Sequence, residues 1–241
     1  MHGKHRRLQR IFGNGKAFIA ALDHGVSMGP IPGLEDPVEV VKLLSQYVDG
    51  FILNRGIIED VLSEVGHRVI IYKLNGITQH YENPYDLRLI GSVEDALSYD
   101  ADAVSYEMYI GGPQEPRQLE EAVTVIREAA RFDLPVILHI YPHGEDRSPE
   151  KVAHCLRLGW ELGADIIKTF YYRGMGASVG KLRRYVLIAG GPKLGTPDEV
   201  MKFARDALNE GVAGLALGRN LWGWPAEQVR EIASYIRNLI G

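Results

Sequence analysis

The chain has 241 residues, 46% of them hydrophobic and 24% charged, and a net charge of -4. That balance is ordinary for a globular protein and argues against a nucleic-acid surface, so the basic run Lys4-His5-Arg6-Arg7 reads as a solvated arm. One cysteine, Cys155, excludes an intrachain disulfide, and no apolar stretch reaches the ~18 residues needed to span a membrane.

In chain order, short aliphatic or β-branched runs alternate with longer amphipathic ones. Strands are predicted at 17–22, 50–53, 69–74, 103–109, 135–141, 165–168, 185–189 and 214–217. Near-continuous apolar runs of this kind suit parallel strands covered on both faces. Helices are predicted at 38–47, 57–65, 92–99, 117–131, 149–162, 197–209 and 226–240. Asp36-Pro37, Ser148-Pro149 and Thr196-Pro197 each give a cap followed by a proline at the first helical position. The alternation predicts an α/β fold, a closed (β/α)8 TIM barrel built as one domain over residues 1–241. Gly174, Gly176 and Gly180 predict that the helix after strand six is short or broken. The N-terminus lacks the apolar core of a signal peptide, which predicts a cytoplasmic protein.

Barrels of this class carry reactive groups at the C-terminal ends of their strands. Those ends hold Asp23-His24, Asn54-Arg55, Lys73, Glu107 or Tyr109, His139 and Tyr141, Lys168, Gly190-Gly191 and Gly218-Arg219. Lys168 closes a run where only aliphatics are expected. Burial pushes a lysine toward the neutral amine, the form that attacks carbonyls; the competing reading is an ion pair with Asp23 or Glu107. Lys73 is a rival amine, a substrate contact or a like charge beside Lys168, with an exposed structural lysine as the alternative. Asp23 suits proton and hydroxyl contacts, with His24 orienting it. His139 and Tyr141 share one face of their strand, Tyr141 as a proton donor and His139 as site wall or core. Gly190-Gly191 and Gly218-Arg219 resemble a phosphate cradle, because glycine lets backbone N–H groups approach an oxyanion and Arg219 adds bidentate contact. No metal-ligand spacing is present among the histidines, so neither a metal nor another cofactor is expected.

These residues resemble the archaeal-type class I aldolases, which include fructose-bisphosphate aldolases and 2-amino-3,7-dideoxy-threo-hept-6-ulosonate synthases. The resemblance runs through Arg6-Arg7-Leu8-Gln9-Arg10-Ile11-Phe12, then Leu22-Asp23-His24-Gly25-Val26-Ser27-Met28-Gly29-Pro30-Ile31-Pro32-Gly33-Leu34 and Tyr141-Pro142. It continues in Gly163-Ala164-Asp165-Ile166-Ile167-Lys168-Thr169, Ala189-Gly190-Gly191-Pro192-Lys193 and Gly218-Arg219-Asn220. It implies a TIM barrel, a Schiff-base lysine at Lys168, an acidic partner at Asp23, a proton-transferring tyrosine at Tyr141, a phosphorylated sugar substrate held by the two glycine loops, and a homo-oligomer. The chain departs from the family's usual residues at Lys73-Leu74-Asn75, where His-Leu-Ser is common, and at Glu107-Met108-Tyr109, where His-Val-Asn is common. Three functions therefore stand as expectations: cleavage of a phosphoketose, transfer of its enamine to a second carbonyl, or phosphosugar binding without catalysis.

Overall fold

The fold is that of a computed structural model, which describes residues 2–13 and 15–241; Met1 and Asn14 lie outside the described residues. The strands are β1 (Ala17–Ala21), β2 (Gly50–Leu53), β3 (Val69–Lys73), β4 (Asn75–Gly76), β5 (Arg88–Leu89), β6 (Ala103–Ile110), β7 (Val136–Pro142), β8 (Ile166–Phe170), β9 (Tyr185–Ala189) and β10 (Gly214–Leu217). The helices are α1 (His2–Phe12), α2 (Gly25–Met28), α3 (Pro37–Leu44), α4 (Arg55–Val65), α5 (Val93–Ser98), α6 (Glu115–Arg131), α7 (Pro149–Leu162), α8 (Gly176–Val179), α9 (Pro197–Asn209), α10 (Arg219–Trp222) and α11 (Ala226–Ile240). Eight of the strands close in the order β1-β10-β9-β8-β7-β6-β3-β2, and every pair in the ring is parallel. This is the expected (β/α)8 barrel. The segment after the sixth barrel strand holds only the four-residue α8, as its glycines predict.

Alternation along each strand divides the apolar residues between two cores. Phe18, Phe51, Tyr106, Leu138, Ile167 and Ile188 pack outward against helix residues such as Ile58, Val125 and Val200. Ile19, Ile52, Ile71, Ala103, Ile137, Ile166, Leu187 and Ala216 fill the floor of the barrel. Two residues beyond the floor on the same faces stand Lys73, His139 and Lys168, and four beyond Ala103 stands Glu107. The strand period thus lifts the chain from an apolar plug to a polar layer in one step.

The caps follow the sequence in two of three cases. Asp36 accepts from the backbone N–H groups of Val38 and Glu39, and Thr196 forms a capping box with Glu199. Ser148 stands at the third N-cap without a side-chain bond to the helix. The N-terminal basic run, expected as a solvated arm, lies instead in α1. Lys4 pairs with Asp165 at 3.0 Å and Arg10 with Asp102 at 2.6 Å, while Ile11 and Phe12 join the barrel floor. Among the described residues, no helix is long and apolar enough to cross a membrane.

Candidate active site

A cavity of about 390 Å³ opens at the C-terminal ends of the strands, lined by Asp23, Lys73, Glu107, Tyr141, Lys168 and Arg219 among others. Strand register brings these distant residues together: Glu107 lies beside His139, His139 beside Lys168, and Tyr109 beside Tyr141.

Lys168 is 5% exposed and has no hydrogen-bond or ion-pair partner among the described residues. Burial lowers its pKa; Asp23 opposes that shift and Lys73 adds to it by like-charge repulsion. The ion pair weighed for Lys168 is made by Lys73 instead. Lys73, itself only 4% exposed, donates to Glu107 Oε2 at 2.6 Å and lies 3.5 Å from Asp23 Oδ2. Lys73 is therefore a buried member of the site and not an exposed structural lysine.

The carboxylates are held ionised. Burial pushes Asp23 upward, but Lys73 and Lys168 prevail and hold it at about 2. Burial acts the same way on Glu107, and Lys73 with His139 carries it well below the ordinary range. Glu107 Oε1 also accepts from the Tyr109 hydroxyl at 2.6 Å. Asn75 clamps the main chain here, accepting from the Glu107 N–H at 2.9 Å and donating to its carbonyl at 2.7 Å.

Tyr141 is 6% exposed, and its ring packs against Phe170 at 4.5 Å. Burial, then the charges of Glu107 and Asp23, raise its pKa well above 10.0, so it stays a phenol able to donate a proton. His139 sits below it, 1% exposed, its Nδ1 3.7 Å from Glu107 Oε2 and its Nε2 unpartnered. Burial, Lys168 and Lys73 push its pKa down to about 3. His24 lies 3.5 Å from Asp23 Oδ1 and meets Trp222 edge-on.

The two glycine loops adjoin and line the same cavity. Gly191 has φ +69°, a left-handed conformation that favours glycine, and a Cβ at Gly218 would collide with the His24 ring. Asn220 staples the loops together. Its amide donates to the carbonyls of Gly190 and Pro192, both at 2.9 Å, and its oxygen accepts from Leu194 N–H at 2.8 Å. Arg219 lines the cavity with its Nε unpartnered. Arg147 lies beside them, its guanidinium 4.0 Å over the Phe170 ring. Arg147 escaped selection from the sequence, where nothing local marks it; Asn220 stood in the Gly218-Arg219-Asn220 run without a role of its own. Trp222 and Trp224 pack the barrel edge, Trp222 donating to the Ala21 carbonyl at 2.9 Å and Trp224 to that of Asn220 at 3.2 Å.

The histidines show no ligand spacing in sequence, yet Asp23, Glu107 and His139 converge with donor atoms all within 4.8 Å of one another. Lys73 already supplies that cluster with a positive charge through its contacts to both carboxylates.

A buried amine without a partner, beside a carboxylate and a phenol, can attack a carbonyl and exchange protons with what it binds. Comparison with known proteins agrees with that chemistry. A 2-amino-3,7-dideoxy-D-threo-hept-6-ulosonate synthase of Archaeoglobus fulgidus is 37% identical over 225 residues, 92% of this chain and 85% of that one. A class 1 fructose-bisphosphate aldolase of Thermoproteus tenax is 36% identical over 247 residues, 95% of this chain and 90% of that one. The solved structure of an archaeal fructose-1,6-bisphosphate aldolase, with its catalytic lysine covalently bound to the carbinolamine intermediate of the substrate, superposes with a TM-score of 0.88 at 33% identity, covering 97% of this chain and 99% of that one. Residues 17–223, from the first barrel strand to the turn after α10, match the DeoC/LacD family of aldolases, and the chain belongs to that family.

Proposed function

We propose that the protein is a class I aldolase acting on a phosphorylated ketose, with Lys168 as the Schiff-base nucleophile. The observation that carries this reading is Lys168 itself: an unpartnered amine in the barrel, its pKa lowered, in one cavity with the Gly190-Gly191 and Gly218-Arg219 loops. Lys168 Nζ adds to the ketone carbon, and loss of water leaves an iminium ion. As the C–C bond breaks, its electron pair flows to the iminium nitrogen to form an enamine, and the hydroxyl proton of the departing aldehyde passes to Asp23. Tyr141 hands a proton to the enamine carbon, and hydrolysis frees the product and the lysine. The phosphate, bound by backbone N–H groups and Arg219, aligns the reacting carbon with the amine.

A transfer reaction, in which the enamine attacks a second carbonyl, uses the same lysine. It is supported by the Archaeoglobus fulgidus relative named as an aminoheptulosonate synthase. Borohydride reduction in the presence of dihydroxyacetone phosphate should add its mass at Lys168, and labelling of another residue sinks the assignment. Product analysis with one carbonyl substrate against two then separates cleavage from transfer.

A further inference from the structure

Lys73 has three N–H donors. Glu107 Oε2 takes one at 2.6 Å and Asp23 Oδ2 lies toward a second at 3.5 Å, leaving a third on a side chain that lines the cavity. Both Glu107 oxygens are already engaged at short range: one holds Lys73, the other holds the Tyr109 hydroxyl, and Asn75 fixes its main chain. Asp23 has only longer contacts, 3.5 Å to Lys73 and 3.5 Å to His24, and lines the same cavity. The two carboxylates differ in how tightly they are held: Glu107 makes two contacts at 2.6 Å, and Asp23 makes none shorter than 3.5 Å among the described residues.

We infer that Lys73 is a catalytic cation, anchored by Glu107, whose remaining N–H holds the substrate oxygen that develops negative charge as its proton passes to Asp23. It stands among Asp23, Glu107 and His139, three residues whose donor atoms would otherwise suit a divalent ion, and takes the part of that ion. During cleavage the hydroxyl proton goes to Asp23, the oxygen lone pair forms the aldehyde C=O, and the C–C pair passes to the enamine. The ammonium gives up no proton; it stabilises the alkoxide in passing, as a preorganised donor on a side chain only 4% exposed. In the reverse direction the same N–H polarises the aldehyde that the enamine attacks. Glu107 is a positioning residue, acting through Lys73.

The inference rests on the Schiff-base reading, and the test separates the two. Wild type, K73M and the doubly neutral K73M/E107Q, which spares the fold a buried unpaired carboxylate, are compared in two assays. One is borohydride trapping of Lys168 with dihydroxyacetone phosphate, which requires imine formation but no C–C cleavage, each chain being measured at its own pH optimum. The other is turnover of the phosphoketose. Both variants should keep the adduct while kcat for cleavage falls about 10²–10³-fold, the range for removing one oxyanion donor. Adduct and turnover lost in parallel would assign Lys73 a structural role, and turnover kept would remove it from the chemistry; either overturns the inference. No adduct on the wild type overturns the Schiff-base reading, and this one with it.

Discussion

Lys73 Nζ stands 2.6 Å from Glu107 Oε2, and this pair leaves Lys168, the other buried lysine of the barrel, without an anion in contact. One lysine is neutralised and the other is not. A lysine in a tight ion pair is a charge, whereas a buried one without a partner tends toward the free amine. Under the proposed mechanism the two divide the work of cation and nucleophile within one layer of the barrel.

The pH dependence of imine formation follows from that division. Its rate should rise with pH through a midpoint below the 10.5 of an ordinary lysine. Asp23 holds the Lys168 pKa up, so D23N should move the midpoint lower still. The same substitution removes the proposed proton acceptor and should cut cleavage about 10²–10⁴-fold. Trapping rates and turnover measured over one pH series check both; a midpoint that rises in D23N contradicts the arrangement.

Tyr141 predicts a different split. Its phenol is buried, kept protonated, and lacks a hydrogen-bond partner among the described residues. Y141F preserves the ring packing on Phe170 and removes only the proton. Imine formation should survive, while solvent deuterium exchange into dihydroxyacetone phosphate falls about 10²–10⁴-fold. Exchange at the wild-type rate would give the proton transfer to another group.

At the glycine loops, Arg219 is expected to contribute a charge-assisted bond to phosphate worth about 2 kcal/mol. R219A should then raise KM for the phosphorylated ketose roughly 30-fold and leave the response to the unphosphorylated sugar nearly unchanged. Equal loss on both substrates would mean that Arg219 holds the loop and not the ligand.

His139 makes acid stability informative. The folded protein keeps it neutral with a pKa of about 3, and its ordinary value is 6.5. Between those values the unfolded chain binds the extra proton, so stability is complete above 6.5 and is lost as the pH falls toward 3. Asp23, with 3.8 shifted to about 2, continues the loss with the same sign at lower pH. Urea midpoints at about pH 7 and about pH 4.5 should therefore fall less in H139N than in wild type. An equal fall would place the acid-sensitive group elsewhere.

The barrel was legible because its information is local. Each barrel strand is a short apolar run and each long helix after α1 an amphipathic one, and the 149–162, 197–209 and 226–240 helices match their predicted ends. Lys168, Asp23 and Tyr141 were legible as polar interruptions at strand ends. Their partners were not, because pairing depends on register across the ring. Asn75 and Glu107 are 32 residues apart, and nothing in either neighbourhood states that they meet. Local signals also mislead: Ser148 reads as a cap and makes no cap bond. The α1 segment failed for another reason. His2–Phe12 opens with a run of charged and polar residues, and its structural role rests on the last two, Ile11 and Phe12.

Those two residues give the last prediction. Phe12 is 3% exposed, packs into the barrel floor and stacks on Tyr185 with ring centroids 4.0 Å apart. Arg10 and Lys4 tie the same helix to Asp102 and Asp165. Those carboxylates in turn accept from the backbone N–H groups of Ile70 and Val136, near the starts of β3 and β7. The helix thus closes the end of the barrel opposite the cavity. F12A should cost about 3–5 kcal/mol, the range for deleting a buried phenyl ring. Because the cavity lies at the far ends of the strands, the folded fraction should retain trapping at Lys168. Urea unfolding gives the first quantity, and adduct yield per folded molecule gives the second. A stability loss within about 0.5 kcal/mol, the range of ordinary surface substitutions, would return the segment to the status of a solvated arm.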